Sequence, residues 1–261
     1  MNPCTDLAYT SPPRHGGLFP SLRFYAKLMH IFISEGIKAA KSYTGDDWAH
    51  ASMRVFKGLE ESGIQFSLEG MENITAIKTP VVFIGNHMST LETFILPALI
   101  QPRKDVTFVV KESLIHYPFF KHVLISREPI VVGRSNPRDD LRNVLEGGAQ
   151  RLEQGRSIII FPQSTRSTQL DKRRFNTIGV KLAKRAGVPI VPVALKTDAW
   201  SQGNLIKDMG PLIASKKVHI TFGAPLDISS ANGKDEHEAV YNFIESHLTS
   251  WENEDIKALR P

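Results

Sequence analysis

Three short segments of this chain carry side chains able to do chemistry. Asn86-His87-Met88-Ser89-Thr90-Leu91-Glu92 sets an imidazole five positions ahead of a carboxylate. A histidine held through one ring nitrogen by a carboxylate can take a proton from an alcohol through the other, and so drive attack of that alcohol on a carbonyl. Phe161-Pro162-Gln163-Ser164-Thr165-Arg166-Ser167 offers hydroxyls, backbone amides and a guanidinium within one stretch. Arginine suits bidentate phosphate binding. Arg134 closes the run Ile130-Val131-Val132-Gly133, and Lys111 closes Phe108-Val109-Val110. A base beside several cations would serve an anionic substrate bearing a hydroxyl. Taken singly, each segment also has a bland explanation, since His–Glu pairs at this spacing and solvated arginines in polar loops are common.

The elements that must position these residues supply the context. Residues 64 onward alternate short β-prone runs with helical segments. Strands are predicted near 65–68, 81–85, 106–110, 130–132, 157–161, 190–194 and 218–222, and helices near 91–100, 137–154, 178–186 and 234–251. Runs such as Ile158-Ile159-Ile160-Phe161 are apolar without alternation, as expected of strands covered on both faces. The pattern predicts an α/β fold with a mixed, largely parallel sheet flanked by helices. His87, Lys111, Arg134 and the Thr165-Arg166 pair all follow predicted strands, and in such a sheet ligands bind at the C-terminal strand ends.

Ahead of this domain, 64–261, the chain is predicted to hold a flexible leader over 1–20, punctuated by prolines and glycines, and two helices over 21–63. In the first, over 21–43, Leu22, Tyr25, Leu28, Met29, Phe32 and Ile37 recur at helical spacing among Arg23, Lys27, Lys38 and Lys41. Such a helix can lie on a membrane surface or pack on the protein's own core. The second is expected to be capped by Asp46 or Asp47 and to stop near Gly63.

The 261 residues carry a net charge of +5, which suits anionic partners without choosing among phosphates, phospholipid surfaces and nucleic acid. The single cysteine, Cys4, excludes an internal disulfide and suits a reducing compartment. No stretch reaches the apolar length of a membrane span. Glycine-rich nucleotide fingerprints, a Gly-x-Ser-x-Gly elbow, zinc-ligand spacing and nucleic-acid-binding motifs are all missing from the sequence, so neither a metal nor a resident cofactor is expected and nucleic acid is not the expected partner.

Taken in order, the segments resemble the four blocks of the 1-acylglycerol-3-phosphate (lysophosphatidic acid) acyltransferase family. They read NHMSTLE, EPIVVGR ending at Arg134, FPQSTRS, and Gly187-Val188-Pro189-Ile190-Val191-Pro192-Val193, with Lys111 and Tyr117-Pro118-Phe119-Phe120 as further features. Departures are Glu92 where the family usually has Asp, Gln163 for Glu, Ser164 and Glu128 for Gly, and Asn176 and Ile178 after Phe175. The resemblance implies transfer of a fatty acyl group from acyl-CoA or acyl carrier protein, as co-substrate, to the hydroxyl of a lysophospholipid. It implies His87 and Glu92 as the catalytic pair, and Lys111, Arg134, Gln163, Ser164, Thr165 and Arg166 as substrate-binding residues. It also implies peripheral contact with an anionic membrane, on its cytoplasmic face. A different lysolipid acceptor, and a lipid-binding protein without catalysis, stay open on the residues alone.

Overall fold

The computed structural model describes the chain apart from residues 1–2, 4–5, 118–119, 134, 164, 205, 229–231 and 259–261. Cys4, Arg134, Ser164 and the Pro118-Phe119 pair, all singled out above, therefore lie outside the described residues.

The first elements in chain order are β1 (Tyr9–Thr10), α1 (Pro20–Ala39), α2 (Gly45–Glu61), β2 (Phe66–Glu69), α3 (Glu72–Thr75), β3 (Val82–Gly85), α4 (Leu91–Ile100) and β4 (Val106–Lys111). There follow α5 (Phe120–Ser126), β5 (Ile130–Val132), α6 (Pro137–Glu153), β6 (Ser157–Ile160), α7 (Ile178–Ala186), β7 (Ile190–Lys196), β8 (Val218–Phe222) and α8 (Lys234–Ala258). The strands form one sheet in the order β1-β2-β8-β7-β3-β6-β4-β5. From β7 to β5 the pairings are all parallel, so the C-terminal ends of β7, β3, β6, β4 and β5 share one edge. β8 runs antiparallel to β7, β2 parallel to β8, and β1 antiparallel to β2.

Every residue of β3, β6 and β7 is buried. Because successive side chains on a strand point to opposite faces, each apolar run feeds two cores. Phe83, Ile159, Val191 and Val193 join the core that includes α1, α2 and α4, whereas Val82, Ile84, Ile158, Ile160 and Ile190 join the one built with α6, α7 and α8. Uninterrupted hydrophobic strands are thus the sequence signature of a sheet sandwiched between helix layers.

The N-terminal region differs from expectation in three ways. Its leader is docked: β1 extends the sheet along β2, and the Tyr9 hydroxyl donates to Glu60 Oε1 at 2.6 Å. Ser11 donates to the same carboxylate oxygen and accepts from the Phe66 amide at 3.0 Å. A two-residue strand between prolines and glycines leaves no periodicity to detect. The helices over 21–63 are also integral to the domain. Phe24, Leu28 and Ile31 of α1, and Trp48, Val55, Phe56 and Leu59 of α2, are buried in the same core as α4. At roughly 1.5–3 kcal/mol per fully buried side chain, that burial holds both helices to the sheet. Finally, the cap of α2 is Thr44: its hydroxyl accepts from the Asp47 amide, and the Asp47 carboxylate accepts from the Thr44 amide at 2.9 Å, a reciprocal capping box. The opposite face of α1 stays uncovered, with Leu22, Met29, Ile33 and Ile37 exposed at helical spacing.

Candidate active site

Strand β3 delivers Asn86 and His87 to the shared C-terminal edge, and the N-terminus of α4 brings Glu92 beneath them. The Asn86 side chain is buried and continues the sheet, donating to the Leu195 carbonyl at 2.7 Å and accepting from its amide at 2.9 Å. Asparagine ahead of the histidine therefore clamps β3 to β7.

Glu92 is fully buried and surrounded by donors. Its Oε1 accepts from the Met88 amide at 2.7 Å and the Ser89 amide at 2.9 Å, and lies 2.9 Å from His87 Nδ1. Its Oε2 accepts from Thr197 Oγ1 at 2.6 Å and Ser89 Oγ at 3.0 Å. Burial alone would raise the Glu92 pKa. The hydrogen bond and charge of His87, with the Thr197 hydroxyl, outweigh it and hold the carboxyl ionised, below the usual range. An ionised Glu92 facing Nδ1 places the ring proton there, and leaves the Nε2 lone pair free.

The 161–167 segment, which follows β6, fixes the histidine from the other side. Phe161 stacks on the imidazole with ring centroids 4.4 Å apart and planes 6° from parallel. Gln163 Oε1 accepts from the His87 amide at 2.6 Å, and the Ser167 amide donates to the His87 carbonyl at 2.9 Å. Gln163 is buried in this role, and its described contact is with the backbone of the histidine. Asn176 donates to the Pro162 carbonyl and accepts from the Ile178 amide at 3.0 Å, tying the same segment to the start of α7.

Arg166 turns its guanidinium towards the N-terminus of α4, where it contacts the Thr90 hydroxyl and forms an ion pair with Asp208. Thr90 immediately precedes α4 and makes no side-chain cap, while Ser89 Oγ accepts from the Leu91 amide at 3.0 Å. Thr165 and Lys111 are exposed, Lys111 at the end of β4 on the shared edge. The structure thus gathers His87, Glu92, Gln163 and Arg166 and leaves Thr165 at the surface. Thr197 and Asp208 went unnoticed in the sequence. Thr197 stands past the charged Lys196 that ends β7, and nothing in the apolar pattern marks it.

An oriented imidazole with a free nitrogen, beside a guanidinium at the edge of a parallel sheet, is equipment for deprotonating a hydroxyl on an anionic substrate. Comparison with known proteins agrees. The family described as Acyltransferase matches residues 65–196, half of the chain. A 1-acyl-sn-glycerol-3-phosphate acyltransferase of Pseudomonas aeruginosa is 30% identical over 178 residues, 67% of each chain. One of Borreliella burgdorferi is 32% identical over 156 residues, 57% of this chain and 58% of the relative. The crystal structure of the 1-acyl-sn-glycerophosphate (LPA) acyltransferase PlsC from Thermotoga maritima superposes with a TM-score of 0.64 at 19% identity, covering 89% of this chain and 94% of that one, and shares the fold. The chain belongs to the acyltransferase family.

Proposed function

We propose that this enzyme moves a fatty acyl group from acyl-CoA or acyl carrier protein to the free hydroxyl of 1-acylglycerol-3-phosphate, giving phosphatidic acid. One observation carries the mechanism: the buried Glu92 carboxylate gathers donors from Met88, Ser89, Thr197 and His87, and leaves His87 Nε2 as the free base. In the reaction, Nε2 takes the hydroxyl proton and the oxygen attacks the thioester carbonyl. The tetrahedral intermediate then expels the thiolate, which recovers the proton from the imidazolium. Glu92 stabilises that imidazolium without leaving its hydrogen bonds. Arg166 grips the acceptor phosphate, with Lys111, at the end of β4, as a further cation, and the resemblance assigns Arg134, Ser164 and Thr165 to the same substrate.

The acceptor lies in a bilayer, and the outer stripe of α1 supplies the contact. Leu18, Phe19, Leu22, Met29, Ile33 and Ile37 are exposed there, with Arg23 and Lys38 alongside. No described helix is long and apolar enough to cross a membrane, and the proposed contact is a surface one through this stripe. A single cysteine fits the reducing, cytoplasmic face.

The test is thiol release from acyl-CoA and acyl carrier protein donors against a panel of lysolipids, comparing wild type with His87→Ala. Release that requires both an acceptor and His87, and falls about 10²–10⁴-fold in the variant, is expected. Lipid binding without His87-dependent turnover, on any donor and acceptor, would replace this reading with a non-catalytic lipid-binding one.

A further inference from the structure

The guanidinium assigned to the acceptor phosphate already holds an anion. Arg166 Nη2 pairs with the Asp208 carboxylate, and Nη1 contacts Thr90 Oγ1, itself 3.5 Å from Asp208 Oδ1. A guanidinium with a hydroxyl beside it is a donor set suited to a phosphate monoester, and here a carboxylate occupies it. Neither partner is sealed in: the side chains are 21% and 43% exposed, so solvent and ligand reach the pair.

Asp208 sits on a segment, 206–212, that is fastened on one side to 199–203, where the Ser201 amide and hydroxyl donate to the Pro211 carbonyl at 3.2 and 2.7 Å, and on the other side to α1. The Tyr25 hydroxyl donates to the Gly210 carbonyl, and the Leu212 amide donates to Ser21 Oγ at 3.0 Å. Trp200 Nε1 donates to the Asp208 carbonyl at 3.1 Å and anchors the other flank. Ser21 and Tyr25 belong to the first turns of α1, next to Leu18, Phe19 and Leu22 on the exposed apolar side.

We propose that Asp208 stands in for the acceptor phosphate on Arg166 and is displaced when the acceptor binds, and that membrane engagement by the start of α1 favours the displaced state. The proposal rests on the reading of Arg166 as a phosphate grip. Charge supplies the direction of exchange. A phosphate monoester carries about −1.5 to −2 charges and three acceptor oxygens at neutral pH, against one charge and two oxygens for a carboxylate. Every acceptor must nevertheless evict the internal anion, so apparent affinity falls by the fraction of molecules in which Arg166 is free. For a partly exposed ion pair that factor is about threefold to tenfold. Entry of Leu18, Phe19 and Leu22 into a bilayer tilts the turn to which the segment is fastened, and so pulls Asp208 from Arg166.

The experiment measures acceptor KM with a short-chain, water-soluble 1-acylglycerol-3-phosphate, with and without phosphatidylglycerol vesicles. Asp208→Asn and Asp208→Ser, each checked for a wild-type-like Tm, are expected to lower KM about threefold to tenfold without vesicles. Asp208→Glu, which keeps a carboxylate, should stay within about twofold of wild type, and vesicles should close most of the gap. An unchanged or raised KM in every folded carboxylate-free variant, while Arg166→Ala raises it, overturns the displacement. A lowered KM whose gap vesicles leave intact overturns the link to α1. An Arg166→Ala enzyme with unchanged acceptor KM would instead remove the phosphate-grip reading itself.

Discussion

Among the described residues two histidines lie flat against aromatic rings, and one of them has a hydrogen-bonded carboxylate behind it. His87 stacks on Phe161, and His219, in β8, stacks on Trp251 with centroids 5.0 Å apart. Both are largely covered, with His219 the more buried. His87 meets the ionised Glu92 at Nδ1 and stands just past the end of a parallel strand. His219 lies inside the antiparallel strand. Burial first, then the charges of Lys217 and Lys196, push its pKa down to about 4, and Asp255 offsets this only in part. Stacking and burial are therefore common to a base candidate and a structural histidine. What separates them is a hydrogen-bonded anion that fixes the tautomer, and a place on the edge where substrate arrives.

The strongest way to break that contrast after removing His87 itself is Glu92→Gln. The amide can present a donor to Nδ1, which would move the ring proton to Nε2 and disable the base. An acid-to-amide change behind a catalytic histidine costs about 10⁴-fold in the worked case of the serine protease triad, and about 10²–10⁴-fold in kcat is expected here. Steady-state thiol release measures it. Turnover within tenfold of wild type would show that the carboxylate is not what distinguishes His87.

A smaller effect should come from Gln163. Gln163→Ala leaves the half-buried His87 amide without its acceptor, a loss of about 1 kcal/mol in stability by urea unfolding. It also frees the imidazole, for roughly a tenfold drop in kcat, the low end for an orienting partner. Gln163→Glu keeps an acceptor oxygen and should lie near wild type in both assays. Equal losses in the two variants would mean that the Nε2H₂ end of the side chain matters more than Oε1.

The sequence reading succeeded where local pattern and tertiary role coincide. Apolar runs named the central strands, and residues in the loops that follow those runs, His87 and Arg166 above all, fell on one edge because the intervening strands are parallel. Longer-range partners were invisible. Thr197 and Asp208 reach the site from beyond β7, more than a hundred positions from His87, and neither residue type signals its role. Gln163 was legible as a site residue and not as a positioning one, because only the fold shows that its oxygen turns inward to a backbone amide. Glu128 shows the converse. It stands where the resembled family has glycine, and its backbone has φ +47°, the left-handed region that glycine adopts without cost. Its carboxylate pairs with Arg156 at 3.2 Å, a contact glycine could not make.

The smallest expected effect is on the other side of the comparison. With a folded pKa of about 4 against an ordinary 6.5, neutral His219 contributes stability that is complete above about pH 6.5. Between those values the unfolded chain binds a proton that the folded one refuses, so stability falls as pH drops towards 4. His219→Gln cannot titrate, and its Tm should decline less steeply than wild type from pH 6.5 to 5, with kcat within about twofold. Parallel Tm profiles would mean that His219 protonates freely in the folded protein, and that burial beside two lysines does not keep it neutral. A shifted pH profile of kcat would draw His219 into the chemistry, and the carboxylate behind His87 would no longer be what sets a base apart from a structural histidine in this fold.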